Sequence, residues 1–482
     1  MEDDFYHKTV GRIPVLIIIF FAYLLRVMLL QKSPDFHFDE PIYMLLSQNV
    51  LKTGTLSTIG SWDFPFFYHP PLFFLVQALW FQMVGQGLFA ARLLPVLFST
   101  ATIGITYLAS ERIFGVKGYR KLLLVSILSV DNWSIFSSRL ALMEPQLIFL
   151  SFAAIALYFH ELERKQRPFA GILFGLAFVT KYLAIVYIIT AVIYTCITKI
   201  RGRWRYLIYN LAITAVIAGT CSLIEYMLNP TEFLVQNSVQ MSRSILGDSL
   251  SRGMYDIATA FKGFDINATF YAGTYIVTIL GVIALTYRIA VKKSLGQLEI
   301  WGFTTIFALI IFRLRYPHYL TISILPLFTL FAKHAKKVIL PTFLTAVIAV
   351  NMVGWVNRFV TPYDHALIDT AHYLKSLPSS TILCDEPVGI ASGKTWYRIT
   401  VHKNLGSLLW LKITHVVIQR SFLQPPPDLD PALWSYLQYN CTIIRHYHGI
   451  WYDVTVYETP LGYAFTSEGT LMNPDSYQLK KN

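Results

Sequence analysis

The chain is short of charged residues for its length. Asp, Glu, Lys and Arg make up 14% of its 482 residues, whereas hydrophobic residues make up 55%, and the mean hydropathy is +0.49. A soluble domain typically has about 25% charged residues. The shortage of charge therefore excludes a soluble enzyme built around one large core and indicates an integral membrane protein.

Cysteine and the common cofactor motifs are also scarce. The four cysteines are too few for a disulfide framework, although Cys384 and Cys441 would be able to pair if their segment lies outside the cell. No P-loop, no GxGxxG motif and no His or Cys spacing typical of a metal site is present. We therefore expect no nucleotide cofactor, and the carboxylates leave open a hard divalent cation.

The basic residues fall in short clusters between apolar runs, which is typical of cytoplasmic loops in membrane proteins. We therefore interpret the net charge of +12 as topology signals and not as a nucleic-acid-binding face. Five clusters together predict eleven membrane-spanning helices in the cell membrane, with the N-terminus in the cytoplasm and the C-terminus outside. The predicted spans are residues 12–30, 89–110, 121–139, 144–160, 169–181, 183–199, 205–227, 270–288, 298–313, 317–332 and 337–356.

Three further expectations follow from this arrangement. Residues 12–30 are too long for the apolar core of a signal peptide, so this run is expected to stay as a span and the chain to begin at or near Met1. Residues 41–51 and 71–84 are predicted to be juxtamembrane helices at the outer surface, because counting 71–84 as a span would place all five basic clusters outside. Residues 229–269 are predicted to form a long outer loop.

The composition changes after residue 356, where apolar runs shorten and charges and prolines return. We predict a transmembrane domain at 1–356 and a small extracytoplasmic α/β domain at 357–482. In the second domain the pattern predicts helices and strands but no catalytic motif. The helices are expected at 365–377 and 431–439, and the strands at 381–384, 414–419, 442–446 and 454–458.

The first outer loop contains a cluster of carboxylates beside the membrane, namely Asp35, Asp39, Glu40 and Asp63. A carboxylate that is partly desolvated at the water–lipid boundary can act as a general base, which makes Asp39 and Glu40 candidates. The alternative is structural, because acidic residues are favoured in the first turn of a helix. The local sequence leaves both interpretations open.

A second cluster lies at the outer ends of the third and fourth spans. It contains Asp131, Arg139 and Glu144, and ionisable residues at membrane depth usually mark substrate sites. The planar guanidinium group of Arg139 is suited to a lipid phosphate. The alternative is that Arg139 and Glu144 form an ion pair with each other.

Cations outside these clusters have the same two interpretations. Lys181 lies in an apolar run, where a buried ammonium costs about 2.5–3.5 kcal/mol and needs an anion, either a protein carboxylate or a substrate phosphate. Its place at an outer turn between two spans makes a substrate phosphate a reasonable partner. Arg92 and the cluster of Arg315, His318 and Tyr319 suit phosphate or sugar, or else an interfacial belt of aromatic and snorkelling residues.

Several motifs, in this order, resemble the protein O-mannosyltransferases and related GT-C glycosyltransferases. They are Asp39-Glu40, His69-Pro70-Pro71-Leu72, Arg92-Leu93-Leu94-Pro95, Val130-Asp131-Asn132, Ser138-Arg139 and Glu144. The segments 175–181 and 315–319 are similar to the bacterial aminoarabinose transferases that act on lipid A. The chain differs from the eukaryotic enzymes at Phe73-Phe74, where they have Gly-Lys, and it lacks the Trp-Trp-Asp motif of oligosaccharyltransferases.

The resemblance implies transfer of one mannose-like sugar from a polyprenyl or dolichyl phosphate to an extracytoplasmic acceptor, a protein hydroxyl or a lipid, with inversion. By analogy Asp39 is the general base, and Glu40 and Glu144 orient the acceptor or the sugar. The donor phosphate is assigned to Arg139, Lys181, Arg315 and Arg92, and the substrate contacts to His69, Tyr319, His318 and Tyr43. No metal is required if the cations neutralise the phosphate.

A transporter or flippase is the alternative function. It would bind the phosphate of a lipid-linked sugar through the same cations but without chemistry. Transporters often contain paired repeats with broken helices, and no such symmetry is visible in the sequence.

Overall fold

The chain forms two compact units in the computed structural model. The first comprises Met1–Gln31, Leu46–Ser57 and Phe64–Val360, and the second comprises Lys32–Leu45, Thr58–Asp63 and Thr361–Asn482. The predicted boundary was at 356/357, and the two segments of the first loop were not predicted to join the second unit. The structure describes residues 13–32, 34–35, 39–58, 62–164, 168–246, 255–292, 295–311, 321–335, 340–360, 366–377, 380–384, 386–399, 405–421, 429–448 and 452–460.

The described residues up to Val360 are mostly helical. Short strands β1 (Ser57–Thr58) and β2 (Trp62–Pro65) lie in the first loop, and a 3₁₀ turn covers Tyr182–Ala184. The helices are α1 Ile13–Val27, α2 Asp39–Thr53, α3 Leu72–Val84, α4 Leu88–Arg112, α5 Tyr119–Val130, α6 Asn132–Ser138, α7 Glu144–Arg164, α8 Ala170–Phe178, α9 Ile185–Ile197, α10 Arg203–Leu228, α11 Pro230–Leu246, α12 Tyr255–Thr286, α13 Gln297–Ile311, α14 Thr321–His334 and α15 Leu340–Phe359.

Helices lie at every predicted span and at both predicted juxtamembrane segments. In the described part of the chain, four helical segments are long and apolar enough to cross a membrane by length and composition. They are Leu88–Arg112, Glu144–Arg164, Arg203–Leu228 and Tyr271–Val291. The number of crossings and their direction stay predictions.

Two parts of the predicted helix pattern were wrong. Residues 121–139 were predicted as one span, but the helix breaks at Asp131, whose carboxylate accepts a hydrogen bond from the Ser134 N–H at 2.7 Å and caps α6. Residues 229–269 were predicted as a loop, but α11 and the first half of α12 lie there. Asn229 directly precedes α11 and caps it, because its side chain accepts a hydrogen bond from the Glu232 N–H at 3.1 Å.

Close packing of α8 against α10 depends on glycine. A Cβ atom added at Gly171 would lie 2.5 Å from the backbone oxygen of Asn210, and one added at Gly175 would lie 2.9 Å from Ile217. The Asn210 side chain also accepts a hydrogen bond from the Gly171 N–H. Small residues at four-residue spacing let two membrane helices approach closely, and this contact holds α8 in place just before Lys181.

The core of the first unit is aromatic and apolar. The Trp301 indole is fully buried, and the rings of Phe114 and Phe152 stack on it with centroid distances of 5.7 and 5.6 Å. Offset stacking of this kind adds to the burial of apolar area.

The second unit contains a five-stranded sheet with the order β4-β3-β5-β7-β6. Strand β3 is parallel to β4 and β5, whereas β7 is antiparallel to β5 and β6. All six predicted elements are present, but β4, α17 and α18 were not predicted. The elements are α16 Ala366–Ser376, β3 Thr381–Cys384, α17 Glu386–Ser392, β4 Thr395–Arg398, α18 Leu405–Trp410, β5 His415–Ser421, α19 Pro431–Asn440, β6 Thr442–His448 and β7 Tyr452–Glu458.

The cysteine pair that the sequence left open is not bridged. Cys384 ends β3 and Cys441 directly precedes β6, and neither cysteine forms a disulfide. Two strands, β5 and β7, separate β3 from β6 in the sheet, which corresponds to about 14 Å. A disulfide requires Cα atoms within about 7 Å, so this sheet order excludes the bridge.

Candidate active site

Lys181 and Glu144 form a buried ion pair. Lys181 has an extended backbone between α8 and the 3₁₀ turn, and Glu144 is the first residue of α7. The Lys181 ammonium donates to the Glu144 carboxylate, and the two residues are 6% and 3% exposed. The sequence left open whether Lys181 pairs with a protein carboxylate or with a substrate phosphate. In the structure its partner is the protein carboxylate of Glu144.

The His-Pro-Pro-Leu motif lies next to this ion pair. The Leu72 N–H donates to the Val179 carbonyl at 3.0 Å, and the Gln146 side chain donates to the Thr180 hydroxyl at 3.1 Å. His69 is half-buried, with its ring centroid 6.1 Å from that of Phe66. Segments that are far apart in sequence, 69–72, 144–146 and 179–181, are thus in contact.

Arg139 and Arg92 are anchored at the C-terminal end of α1. The fully buried Arg139 guanidinium donates to the carbonyls of Leu25, Arg26 and Met28 at 3.2, 3.1 and 2.7 Å. Arg92, also fully buried, donates to the Leu30 carbonyl at 3.0 Å. Cations are favoured at this end of a helix, where carbonyl groups lack partners in the helix. Both arginines therefore have a structural function, and phosphate binding stays a prediction for them.

Arg26 is a buried cation that the sequence analysis missed. Its guanidinium donates to the Leu128 and Ser129 carbonyls at 3.1 and 2.9 Å and to the Ser99 hydroxyl at 3.0 Å. It ties α1 to the end of α5, within electrostatic reach of Asp131 and Arg139. The signal was available, since an arginine inside the predicted span 12–30 is unusual.

Asp39 and Glu40 occupy the first turn of α2. The alternative to a catalytic role, acidic residues in the first turn of a helix, predicted this position. Glu40 is fully buried, Asp39 is half-buried, and Tyr43, one turn later, is 3% exposed. A first-turn acid gains from the helix macrodipole. This position is compatible with either interpretation, so the role of Asp39 as general base stays a prediction.

Asp35 has a structural function. Its carboxylate accepts hydrogen bonds from the N–H groups of Leu367 and Ile368, at 2.7 and 2.9 Å, and so caps the N-terminus of α16. The first loop thus contains a carboxylate that holds a helix of the second unit. One member of the acidic cluster is explained without catalysis.

Three predicted site residues, Arg315, His318 and Tyr319, lie outside the described residues. Among the residues that are described, no group of three or more His, Cys, Asp or Glu side chains is arranged to hold a metal ion.

Comparisons with known proteins bear on the segment that contains most of this site. Residues 68–221, less than half of the chain, match the family model for dolichyl-phosphate-mannose-protein mannosyltransferase. The matched range includes Arg92, Arg139, Glu144 and Lys181.

Most of the chain is similar to a solved structure. The structure of ArnT from Cupriavidus metallidurans bound to undecaprenyl phosphate matches with a TM-score of 0.62 and 14% identity, covering 93% of this chain and 98% of that one. The chain has the GT-C glycosyltransferase fold. The predicted resemblance is therefore confirmed.

A second GT-C structure is also similar. The oligosaccharyltransferase of Archaeoglobus fulgidus matches with a TM-score of 0.55 and 11% identity, covering 84% of this chain and 67% of that one. No curated protein sequence matches the chain. At these identities the structural likeness establishes the fold.

Proposed function

We propose that the chain is a membrane glycosyltransferase that transfers one sugar from a polyprenyl or dolichyl phosphate to an acceptor outside the cytoplasm. The proposal depends on the contact between segments 69–72, 144–146 and 179–181. This contact brings the buried Lys181 ammonium next to the His-Pro-Pro-Leu motif, which is one of the motifs that carry the family resemblance. The family-model match and the GT-C fold support it. The sugar is mannose-like, and the acceptor is a protein hydroxyl or a lipid.

The reaction requires one proton transfer and one displacement. The acceptor hydroxyl attacks the anomeric carbon opposite the phosphate, the carbon–oxygen bond to the phosphate breaks, and the electron pair of that bond leaves on the polyprenyl phosphate. The acceptor proton passes to Asp39, and the anomeric configuration is inverted.

Each remaining site residue has a role in this scheme. Charge that develops on the departing phosphate needs preorganised cations, and acceptor and sugar need fixed orientations. The cations are Lys181, Arg92, Arg139 and Arg315, the orienting carboxylates are Glu40 and Glu144, and the substrate contacts are His69, Tyr43, His318 and Tyr319. These cations supply the charge, so the scheme requires no metal.

The proposal is tested with purified protein and polyprenyl-phosphate mannose. Wild-type protein is expected to release polyprenyl phosphate and to give a mannosylated acceptor detected by mass spectrometry. Asp39→Asn is expected to bind the donor but to lose transfer, because the acceptor proton has no base. Glu111→Gln, at an exposed carboxylate on α4, serves as the matched control and retains transfer.

Two results would contradict the scheme in different ways. An unchanged rate for Asp39→Asn would remove the base assignment. Donor binding by the wild type without release of polyprenyl phosphate, across protein and lipid acceptors, would instead indicate a carrier for the lipid-linked sugar.

A further inference from the structure

Glu225 is a buried carboxyl group that the scheme above does not use. It lies in the last turn of α10 and is 5% exposed, whereas its neighbours Leu223 and Met227 are 57% and 73% exposed. The helix therefore directs apolar side chains outward and Glu225 inward. Within the described residues its Oε1 atom has no hydrogen-bond partner. Leaving such a group unsatisfied costs about 1–3 kcal/mol.

Two other buried carboxylates in the same unit accept hydrogen bonds from the chain. Glu161 accepts hydrogen bonds from the N–H groups of Phe169 and Ala170 at 2.7 and 3.1 Å. Glu299 accepts from the Arg288 guanidinium at 3.0 Å and from the Gly296 N–H at 3.1 Å. Glu161 and Glu299 show how the chain satisfies a carboxylate that has only a structural function, and the unsatisfied oxygen of Glu225 therefore indicates a donor from a ligand.

The surroundings of Glu225 identify the kind of ligand. Tyr182 and Cys221 lie within electrostatic reach of Glu225, and the Tyr182 hydroxyl donates to the Asn237 side chain at 2.8 Å. The Tyr182 ring packs at 5.4 Å from that of Phe178. Carboxyl, amide and phenol groups beside aromatic rings suit a ligand with several hydroxyl groups and an apolar face.

Chain connectivity relates this group to the proposed donor site. Tyr182 directly follows Lys181, which the proposed function assigns to the donor phosphate. A sugar is joined to its phosphate through one oxygen atom, so a phosphate held by Lys181 would place the sugar beside the turn that Tyr182 begins. We propose that Glu225 accepts a hydrogen bond from a hydroxyl group of the transferred sugar and so contributes to the choice of sugar; this inference rests on the proposed function.

The first test labels carboxyl groups in the full-length protein with a hydrophobic carbodiimide and reads each site by mass spectrometry. Labelling of Glu225 is expected to fall when polyprenyl-phosphate mannose is added and to stay unchanged with polyprenyl phosphate alone. Glu161, which the backbone satisfies, is the internal control and does not respond. Equal labelling of Glu225 in all arms, or equal protection by both lipids, would overturn the inference.

The second test compares donors. Glu225→Gln is close in shape and keeps the fold, and it is expected to lower kcat/KM for the mannosyl donor about tenfold, the usual effect of weakening one such hydrogen bond. Donors whose sugar lacks a single hydroxyl group are compared in turn. The wild type is expected to react more slowly with the donor that lacks the hydroxyl group bound by Glu225, and the variant is expected to lose this difference between donors. Discrimination that is unchanged in the variant would overturn the assignment. Protection of Glu225 by a donor that is never transferred would overturn the proposed function alone.

Discussion

At the scale of single residues, the first unit contains charged side chains that are buried and therefore removed from water. Arg26, Arg92 and Arg139 are fully buried, and each donates to backbone carbonyls at the end of a helix. Lys181 instead pairs with a carboxylate. Helix ends and one ion pair thus compensate the desolvation that burial imposes on these cations.

The Lys181–Glu144 pair leads to a prediction about stability and activity. Lys181→Met leaves a carboxylate buried without its cation and is expected to cost about 3–5 kcal/mol, whereas the double variant Lys181→Met/Glu144→Leu recovers most of this loss. Thermal unfolding in detergent measures the difference. Donor binding is expected to be lost in both variants, because the cation is absent from both. Additive destabilisation in the double variant would contradict the pairing.

His415 in the second unit predicts a pH dependence. It begins β5 opposite Glu458 and is 3% exposed, and burial lowers the pKa of His415 from 6.5 to about 4. Between these two values the unfolded chain binds a proton that the folded unit does not. The free energy of unfolding is therefore expected to fall as the pH drops from 6.5 to 4, by at most about 3 kcal/mol.

Protease susceptibility of the second unit in the full-length protein, followed against pH, measures this effect. His415→Gln is expected to flatten the pH profile, and His372→Gln, at an exposed position on α16, is expected to keep it. Burial raises the pKa of Glu458, which acts in the opposite direction but is common to all three proteins. An unchanged profile in His415→Gln would contradict the prediction.

At the scale of elements, the C-terminal end of α1 organises the first unit. Its carbonyls accept hydrogen bonds from Arg139 on the loop after α6 and from the Trp355 indole of α15, the latter at 3.0 Å to the Leu25 oxygen. Arg92 of α4 donates just beyond the helix end. Three elements are therefore held by one helix end, which the sequence pattern did not reveal.

Helix α11 connects two parts of the candidate site. The Gln236 side chain accepts from the Phe67 N–H at 2.7 Å and donates to the Pro65 carbonyl at 2.8 Å. The next residue, Asn237, accepts from Tyr182. The helix thus fixes the backbone before His69 on one side and the turn after Lys181 on the other.

Because α8 packs closely on α10, adding one methyl group is expected to lower the stability of the protein at some glycine positions and not at others. Gly171→Ala places a Cβ atom 2.5 Å from a backbone oxygen, which cannot give way as the end of a flexible side chain can, and it is expected to cost about 1–3 kcal/mol. Gly219→Ala on α10, where no atom lies within 4 Å, is the matched control and is expected to be neutral. Thermal unfolding in detergent compares them, and equal melting temperatures would contradict the packing.

At the scale of the whole molecule, the direction of insertion is the main open prediction. Basic loops are predicted to be cytoplasmic, and the unit after residue 360 is predicted to be outside. In a variant whose four cysteines are replaced, Ser435→Cys is expected to react with a membrane-impermeant maleimide in intact cells. Arg201→Cys is expected to react only after permeabilisation. The reverse pattern would invert the topology.

Much of the helical architecture was predictable because apolar runs and intervening charges depend on local sequence. The predictions that were wrong depended on single contacts that the apolar pattern does not show. At Asp131 one carboxylate caps a new helix inside an apolar run. Helix α11 was missed because its apolar face is interrupted by polar residues, and its Gln236 contacts lie about 170 positions away in sequence. In the second unit, β4, α17 and α18 were missed; these elements are only four, seven and six residues long.

The sequence by itself determined the membrane class, the helix positions and the resemblance to GT-C glycosyltransferases, since these depend on composition, periodicity and short motifs. Only the tertiary structure decided which anion pairs with Lys181, what Asp35 caps and which way Glu225 points. The physical reason is the same in each case. A buried charge is stabilised by whichever donor or acceptor the fold brings within hydrogen-bond distance, and that partner is usually remote in sequence.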